Sequence, residues 1–445
     1  MTTRRPEHVL SPATEEAVAQ VGQADVLVGL HSFNNAATIE HVVRAVTAGL
    51  AKYCPGKRAV LVNADGGSTD GTPDLVAQAA VDYDALFIAD HPSALHKIIT
   101  PYHGVPGKGS ALRTMCEVAR RVSPAACAVV DADVRSITPE WIGLLLQPIL
   151  EEQYDYVAPY YLRHKYEGTI TNSIVYPLTR SLYGDRIRQP IGGEFGFSGR
   201  LALHYADQPA WETDTAYVGS DVWMTTEALA FGAKVCQSFL GAKIQSPSAQ
   251  STDLVGMLSQ VVGALFSAME AHEAVWWRAV GSDPVPVFGF QYEVAVEPVH
   301  VHVDGMLASF DQGLRDLGPV WEQMLAPETY SELGRLDRSS NRTFHMPDEL
   351  WTQIVYDAAT AFRHRVLPRE HVLKALTPLY LGHTASFVCD TQDLSSREAE
   401  DRVESLCLAF ERLKPSLMAK WRRTTMEELE ASLQHIDATP EQLLT

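Results

Sequence analysis

The stretch Cys127-Ala-Val-Val-Asp131-Ala-Asp133-Val134 decides how the rest of the chain is interpreted. Its first four residues are small or β-branched and apolar, which is typical of a short buried strand. Residues two apart on a strand share a face, so we expect Asp131 and Asp133 to project together from the strand's C-terminal end. Ligands bind at that end in open α/β sheets, and paired carboxylates suit Mg²⁺ or Mn²⁺. The alternative is an Asx-capped turn in which one Asp caps a helix.

The composition is that of an ordinary globular protein with a substantial core. The chain has 445 residues, of which 46% are hydrophobic and 20% are charged. Its net charge of −19 argues against a nucleic-acid-binding protein, which needs a basic surface to neutralise phosphates. An anionic ligand must therefore be held by cations placed locally in its site.

The cysteines and apolar segments favour a cytoplasmic protein. The 6 cysteines lack the spacing of a zinc site or a C-x-x-C motif, and several lie in apolar runs, so we expect buried reduced thiols. No apolar segment of a secretory signal follows the N-terminus. The apolar run from Leu254 to Met269 is expected to be too short to span a bilayer, so no transmembrane segment is predicted.

Strand–loop–helix units recur along the first half of the chain. Buried strands are predicted at 25–30, 58–63, 85–89, 127–130, 156–161 and 234–239, with helices between most of them. Asn35 is predicted to cap the first of these helices, and Thr72 with Pro73 to begin the second. Such alternation predicts an α/β fold with a mostly parallel, doubly wound sheet.

Several polar or glycine-rich loops follow these strands. Asp65-Gly-Gly-Ser-Thr-Asp70 is either a flexible turn or a nucleotide contact loop. Lys108 lies between two glycines at a helix N-terminus, where an anion would be favoured, although an exposed lysine in a surface turn is the alternative. Gly192-Gly193-Glu194 suggests a tight loop that presents Glu194 to a ligand, and a solvent-facing β-turn is the alternative. Asp221 is either a hydroxyl acceptor or a plain acid in the first turn of a helix.

The character of the sequence changes after Ser251, where broad apolar helical stripes begin. We expect an N-terminal arm at 1–22, an α/β domain at 23–250 and a mainly helical region at 251–445. His300 and His302 alternate with valines like a half-buried strand, and a structural role is favoured over metal ligation. The apolar helical region makes a homodimer plausible.

Taken together, the loops match a known arrangement. Asp65–Asp70, Gly107–Gly109, Asp131–Asp133, Gln189–Glu194 and Gly219–Asp221 occur in the order and spacing of GT-A glycosyltransferases. Over about residues 24 to 250 the chain resembles the retaining enzymes that make glycosylglycerates: mannosylglycerate synthase, glucosylglycerate synthase and glucosyl-3-phosphoglycerate synthase. The resemblance implies a GT-A fold and a nucleotide diphosphate sugar as the donor.

The resemblance also implies roles for individual residues. The nucleotide would be contacted by Leu30, Ser32, Asn34 and Asp65, with Lys108 facing the diphosphate or base. Asp131 would meet the ribose and donor sugar, and Asp133 and Gln245 would hold the metal, Mg²⁺ or Mn²⁺. Acceptor and sugar hydroxyls would be bound by Thr171, Gly193, Glu194 and Asp221. Asp131, Glu194 and Asp221 are the candidate catalytic residues.

Three positions depart from the family's pattern. Asn35 stands where many relatives carry an acidic residue, which leaves base recognition open. Gln245 takes the place of a metal-binding His, and a neutral amide oxygen suits softer metals less well than imidazole. Thr169 stands where the phosphoglycerate enzyme uses an arginine, and a phosphate monoester normally requires an Arg fork or an equivalent cation. Unphosphorylated D-glycerate is therefore the expected acceptor.

The leading hypothesis is a metal-dependent retaining glycosyltransferase. It would move glucose or mannose from UDP-glucose, GDP-glucose or GDP-mannose to D-glycerate, forming a glycosylglycerate, a compatible solute. The alternatives are a GT-A enzyme with 3-phosphoglycerate or another small or lipid acceptor, a nucleotidyltransferase, and a non-catalytic nucleotide-binding descendant. No covalent nucleophile is required by the sequence, and retention by attack on the same face is adopted from the family.

Overall fold

The computed structural model describes residues 9–79, 95–102, 107–212, 219–245, 254–292 and 299–436. The chain divides into two compact units. The first unit comprises residues 1–167, 185–268 and 283–298, and the second comprises 168–184, 269–282 and 299–445. The helical unit thus also includes residues 168–184, and the first unit continues beyond residue 250 to residue 268. The sequence suggested a boundary near residue 250.

An eight-stranded sheet organises the first unit. Its strands are β1 (Val26–Ser32), β2 (Ala59–Asp65), β3 (His96–Pro101), β4 (Ala126–Asp131), β5 (Tyr156–Leu162), β6 (Phe195–Ser198), β7 (Val235–Ala242) and β8 (Val287–Phe288). They lie in the order β3-β2-β1-β4-β6-β5-β7-β8, and among these described strands only β6 is antiparallel to its neighbours. The direction in which the chain adds strands reverses between β1 and β4, and such a reversal is where open α/β sheets bind their ligands.

Helices cover both faces of this sheet. The helices of the first unit are α1 (Pro12–Val21), α2 (Ile39–Tyr53), α3 (Thr72–Gln78), α4 (Lys108–Val122), α5 (Pro139–Leu150), α7 (Gly199–Ala206), α8 (Ser220–Ala230) and most of α9 (Leu254–Ala271), whereas α6 (Tyr176–Tyr183) belongs to the second unit. Val28 and Leu30 of β1 pack in one core with α2 and α5. Gly29 faces the other way, where a Cβ would lie 2.3 Å from Sδ of Met115 on α4. Alternate residues of β1 therefore face different helix layers, as the two-residue period of a strand requires.

The second unit is helical. It contains a π-helical turn (Thr171–Val175) and, besides α6, the helices α10 (Glu273–Trp276), α11 (Val303–Asp316), α12 (Gly318–Met324), α13 (Pro327–Leu333), α14 (Asp348–His364), α15 (Arg369–Thr391) and α16 (Ser396–Ile436). The fully buried guanidinium of Arg180 in α6 donates to Glu404 and Glu411 of α16, which ties these helices together. The expected fold class, an α/β sheet with a mainly helical C-terminal region, is confirmed.

Three local predictions differ from the structure. Asn35 does not cap α2, because its side chain accepts from the backbone N–H of Phe33 and the helix begins only at Ile39. The strand predicted at His300 and His302 was wrong, since these residues precede α11 without pairing in the sheet. The strand predicted at 85–89 lies outside the described residues, and β3 forms at His96–Pro101 instead.

Helix α9 also corrects an expectation. Among the described residues it is the one helix that is long and apolar enough, by length and composition, to cross a membrane. Of its 18 residues, 39% are buried inside the protein. The prediction that this run is too short was therefore wrong. One such helix is weak evidence for a membrane span, because the core helix of a soluble protein meets the same criteria.

Candidate functional site

The loop after β2 is held in shape by Asp65. Its carboxylate accepts from the hydroxyl groups of Ser32 and Ser68 at 2.8 and 2.7 Å, and from the backbone N–H groups of Gly67 and Ser68 at 2.9 and 2.7 Å. Both carboxylate oxygens of Asp65 are thus used within the loop. These hydrogen bonds shape the loop, and the contact of Asp65 with the nucleotide remains a prediction from the sequence.

Asn34 links the loops after β1 and β2. It adopts a left-handed conformation with φ of 54°, and its side chain accepts from the backbone N–H of Thr69 at 2.9 Å. Leu30 is fully buried in the core, and its contact with the nucleotide remains a prediction from the sequence. These residues provide a preformed polar surface at the ends of β1 and β2.

Two lysines converge on Asp131 at the end of β4. Lys108 Nζ lies 2.7 Å from Oδ1 of Asp131, and Lys243 Nζ lies 3.0 Å from Oδ2. Lys108 also lies 3.0 Å from Oδ1 of Asp221, and Lys243 lies 2.8 Å from Oε2 of Glu194. The structure therefore brings together Lys108, Asp131, Glu194 and Asp221, as expected from the sequence, in one largely buried cluster, termed the hollow, that also contains Lys243.

Gly193 makes this close packing possible. Its φ of +99° favours glycine, and a Cβ at this position would lie 2.5 Å from both Oδ2 of Asp131 and Nζ of Lys243. The carbonyl oxygens of Gly193 and Gly192 accept from Lys108 and Lys243, each at 2.9 Å. The backbone of the loop before β6 thus helps to fix both ammonium groups.

Burial and charge set the protonation of the acidic groups. Burial would raise the pKa of Asp131, but Lys108 and Lys243 outweigh it and hold that pKa well below its ordinary value. Burial raises the pKa of Glu194 to about 7 despite the neighbouring Lys243. Burial likewise raises the pKa of Asp221, and Lys108 only partly offsets this. Asp131 is therefore ionised at neutral pH, while Glu194 lies near its midpoint.

Glu194 is also held by a tyrosine. The side chain of Glu194 is fully buried, and the hydroxyl of Tyr161 donates to its Oε2. The backbone N–H of Asp131 lies 3.4 Å from Oε1 of Glu194. The carboxylate is therefore fixed on both oxygens.

Asp133 and Gln245 form a separate pair at the rim. Asp133 follows the strand in a turn, so it is not the i+2 residue of one continuous strand with Asp131 as the sequence suggested. Gln245 Nε2 lies 3.1 Å from Oδ1 of Asp133. Burial first, and then Asp131, raises the pKa of Asp133.

The Asp133–Gln245 pair is suited to bind Mg²⁺ together with phosphate oxygens of a substrate. Rotation of the Gln245 amide would present its oxygen in place of its nitrogen. Mg²⁺ is commonly bound by one or two carboxylates together with substrate phosphates, so one carboxylate and one amide oxygen are a suitable protein contribution. Within the described residues, no group of three or more His, Cys, Asp or Glu side chains could hold a metal on its own.

Thr171 lies in the second unit. It begins the π-helical turn, and its side chain is buried with 3% exposed. The neighbouring Thr169 forms a hydroxyl–hydroxyl hydrogen bond with Tyr380 of α15. The contact of Thr171 with an acceptor remains a prediction from the sequence.

Sequence reasoning missed two residues of the hollow. Lys243 was assigned no role, although a lysine directly after a buried strand on the ligand-binding edge was an available signal. His31 was assigned no role either, yet its Cα pairs with that of Asp131 across β1 and β4. Its ring nitrogen Nδ1 lies 3.5 Å from Oδ1 of Asp131.

No protein-family model and no curated protein sequence matches the chain. It is similar to solved structures of glucosyl-3-phosphoglycerate synthase from Mycobacterium tuberculosis. The complex with Mn²⁺, UDP and glucosyl-3-phosphoglycerate is 21% identical, with a TM-score of 0.41 and coverage of 60% of this chain and 86% of that chain. The complex with Mg²⁺ and UDP is 21% identical, with a TM-score of 0.42 and coverage of 59% and 85%.

Another complex of the same enzyme, with Mn²⁺, UDP-glucose and phosphoglyceric acid, is also 21% identical and has a TM-score of 0.42, covering 60% of this chain and 86% of that chain. The chain is thus distantly similar to one of the three enzymes that its loop motifs resemble.

Proposed function

We propose that the chain is a metal-dependent retaining glycosyltransferase that moves a hexose from a nucleotide diphosphate sugar to D-glycerate. The observation that carries this proposal is the convergence of Lys108 and Lys243 on Asp131, Glu194 and Asp221. This cluster lies at the carboxyl end of β4, next to the point where the strand order reverses. Buried cations beside hydroxyl-binding carboxylates are the groups that a diphosphate attached to a sugar requires.

The lysines supply positive charge where negative charge develops. When the anomeric C–O bond breaks, the electron pair of that bond goes to the departing diphosphate. Preorganised ammonium groups in a water-poor hollow stabilise such charge more strongly than water does. A metal ion held by Asp133 and Gln245 would add Lewis-acid stabilisation of the same leaving group.

The carboxylates orient hydroxyl groups. Glu194 and Asp221 would accept hydrogen bonds from hydroxyls of the hexose and of the acceptor, which places the acceptor oxygen beside the anomeric carbon. A new C–O bond then forms on the face that the diphosphate leaves, and the acceptor hydroxyl gives its proton to a departing phosphate oxygen. The configuration of the anomeric carbon is retained.

The acceptor assignment rests on position 169. A phosphate monoester normally pairs with an Arg fork or an equivalent cation. Thr169 provides only a hydroxyl, and that hydroxyl is engaged with Tyr380. This supports D-glycerate rather than 3-phosphoglycerate as the acceptor.

A donor-by-acceptor activity matrix tests the proposal. UDP-glucose, GDP-glucose and GDP-mannose are each incubated with D-glycerate or 3-phosphoglycerate, with and without Mg²⁺, and the products are examined by NMR. The proposal expects one donor to give a hexosyl glycerate with retained anomeric configuration only when Mg²⁺ is present. Product from 3-phosphoglycerate alone would refute the acceptor assignment.

Two other outcomes would overturn the reaction itself. Nucleotide binding without turnover for every pair would indicate a binding protein. Release of pyrophosphate from a nucleoside triphosphate and a sugar 1-phosphate would indicate a nucleotidyltransferase.

A further inference from the structure

His31 lies beside Asp131 of the hollow, and no role has yet been given to it. It lies near the end of β1, and its Cα pairs with Ala64 of β2 on one side and Asp131 of β4 on the other. Nδ1 of the ring is buried and makes no hydrogen bond to any described residue, while 29% of the side chain remains exposed. The exposed part of the ring therefore lies away from Nδ1.

The surroundings of His31 determine the protonation state and the tautomer of its imidazole. Burial, aided by Lys108 and Lys243 and opposed by Asp131, lowers the pKa of His31 to about 4, so the imidazole is neutral at pH 7. A neutral imidazole carries one N–H and one acceptor nitrogen. An ionised carboxylate only accepts, and Oδ1 of Asp131 lies 3.5 Å from Nδ1, which favours the proton on Nδ1. Nε2 is then an acceptor.

The chemistry of a nucleotide diphosphate sugar supplies what such an acceptor needs. If Lys108 and Lys243 hold the diphosphate, the group beside them is a sugar ring on either side, the ribose or the transferred hexose. Both rings offer hydroxyl groups as hydrogen-bond donors. A site that accepts from a particular hydroxyl discriminates against an analogue that lacks it, because its acceptor is then left unpaired.

We propose that His31 is a specificity-determining residue whose Nε2 accepts a hydrogen bond from a ring hydroxyl of the donor, on one of the sugars that flank the diphosphate. This inference rests on the proposed function, because it requires a nucleotide diphosphate sugar in the hollow. It assigns donor selection to a side chain that faces away from the Asp65 loop.

Calorimetric binding tests the inference without requiring turnover. UDP, its 2′-deoxy and 3′-deoxy analogues and UDP-glucose are titrated with Mg²⁺ into the wild type and into His31→Phe, and the guanosine series is run in parallel. His31→Phe keeps a planar ring but has no acceptor. His31→Gln offers an oxygen at similar reach and serves as the rescue variant, and His41→Phe on the exposed face of α2 is the matched control.

Two results would support the inference and identify the sugar. If the hydroxyl belongs to the ribose, the wild type binds one deoxy analogue roughly 3- to 10-fold more weakly than the parent diphosphate, and His31→Phe binds both equally. If it belongs to the hexose, His31→Phe binds the free diphosphates like the wild type but loses roughly the same factor for UDP-glucose. In both cases His31→Gln restores discrimination and His41→Phe leaves it unchanged.

Other binding results would contradict the inference. A uniform loss for all ligands in His31→Phe, or no loss for any ligand, would overturn the role of His31 and leave the proposed function standing. If the wild type bound neither the uridine nor the guanosine series, the proposed function itself would fall, and the inference with it.

Discussion

Lys243 Nζ and Glu194 Oε2 lie 2.8 Å apart, and their side chains are 7% and 0% exposed. The same ammonium group also contacts Asp131, so one lysine pairs with two buried carboxylates. Removing one partner of a buried ion pair leaves an uncompensated charge, which is far more costly than the pair's net contribution.

Lys243→Met is therefore expected to destabilise the protein by about 3 kcal/mol or more. The matched control is Lys52→Met, because the Lys52–Glu140 pair is about half exposed on both sides (52% and 51%). Loss of that exposed pair should cost about 1 kcal/mol or less. Denaturant unfolding at pH 7 measures both variants, and equal effects would show that the buried cluster is not held by Lys243.

The pH dependence of turnover should report on Glu194. Its pKa is raised to about 7, chiefly by burial, so the ionised form gains population as the pH rises through that value. We expect turnover to rise along the same limb, because only the ionised carboxylate accepts hydrogen bonds on both oxygens.

Tyr161→Phe should move that limb to higher pH. The hydroxyl of Tyr161 donates to Glu194 and so favours its ionised form. The control is Tyr205→Phe, which removes a buried hydroxyl that donates to the carbonyl of Met224. If Tyr161→Phe and Tyr205→Phe gave identical pH–rate profiles, Tyr161 would not influence the pKa that controls turnover.

Metal dependence should follow the Asp133–Gln245 pair. Asp133→Ala removes the one carboxylate of the candidate site, and we expect turnover to fall at least 100-fold at any Mg²⁺ concentration. Gln245→His replaces an amide with imidazole, so activity should shift from Mg²⁺ towards Mn²⁺ or Zn²⁺. The measurement is the initial rate as a function of the concentration of each metal. If both variants depended on the metals as the wild type does, the cation would bind elsewhere.

Acid should destabilise the protein through His383. Burial lowers the pKa of this histidine from 6.5 to about 3, while its ring stacks on Trp351 with centroids 4.5 Å apart. The unfolded chain takes up the proton below about pH 6.5 and the native state does not, so this contribution to stability is lost as pH falls towards 3. The slope approaches about 1.4 kcal/mol per pH unit.

His383→Phe cannot take up a proton and should flatten that slope. His371→Phe, at an exposed position of the same helix α15, is the control and should retain the slope of the wild type. Unfolding free energies measured between pH 4 and pH 7 decide the matter. Parallel pH dependences for wild type and His383→Phe would contradict the assignment.

Local patterns predicted most of the sheet and the loops at its edge. The apolar runs around Val28, Val62 and Val129 are long enough to identify buried strands, and the glycine-rich loops after them lie at the expected edge. Strand β3 escaped prediction because His96-Lys-Ile-Ile-Thr-Pro101 is short and half polar. The antiparallel direction of β6 is a tertiary feature, which a four-residue apolar strand does not encode.

The sequence motifs identified the loops that form the site, but they did not identify which side chains contact each other there. The i, i+2 rule placed Asp131 and Asp133 together, yet the strand ends at Asp131 and the next two residues turn. Lys243 lies 112 positions from Asp131, and no local pattern reports a pairing at that distance. His31 carried no motif, and only the register of β1 against β4 shows its neighbour.

Calorimetric titration of UDP and GDP, with Mg²⁺, into the wild type and a Lys108→Met/Lys243→Met double variant tests the central claim most directly. Each charge-assisted hydrogen bond to phosphate contributes about 1.5–3 kcal/mol, so binding by the double variant should be weaker by roughly 100-fold or more. Circular dichroism verifies that the variant is folded. Equal affinity of the folded double variant and the wild type would contradict the claim that the two buried lysines hold a nucleotide diphosphate.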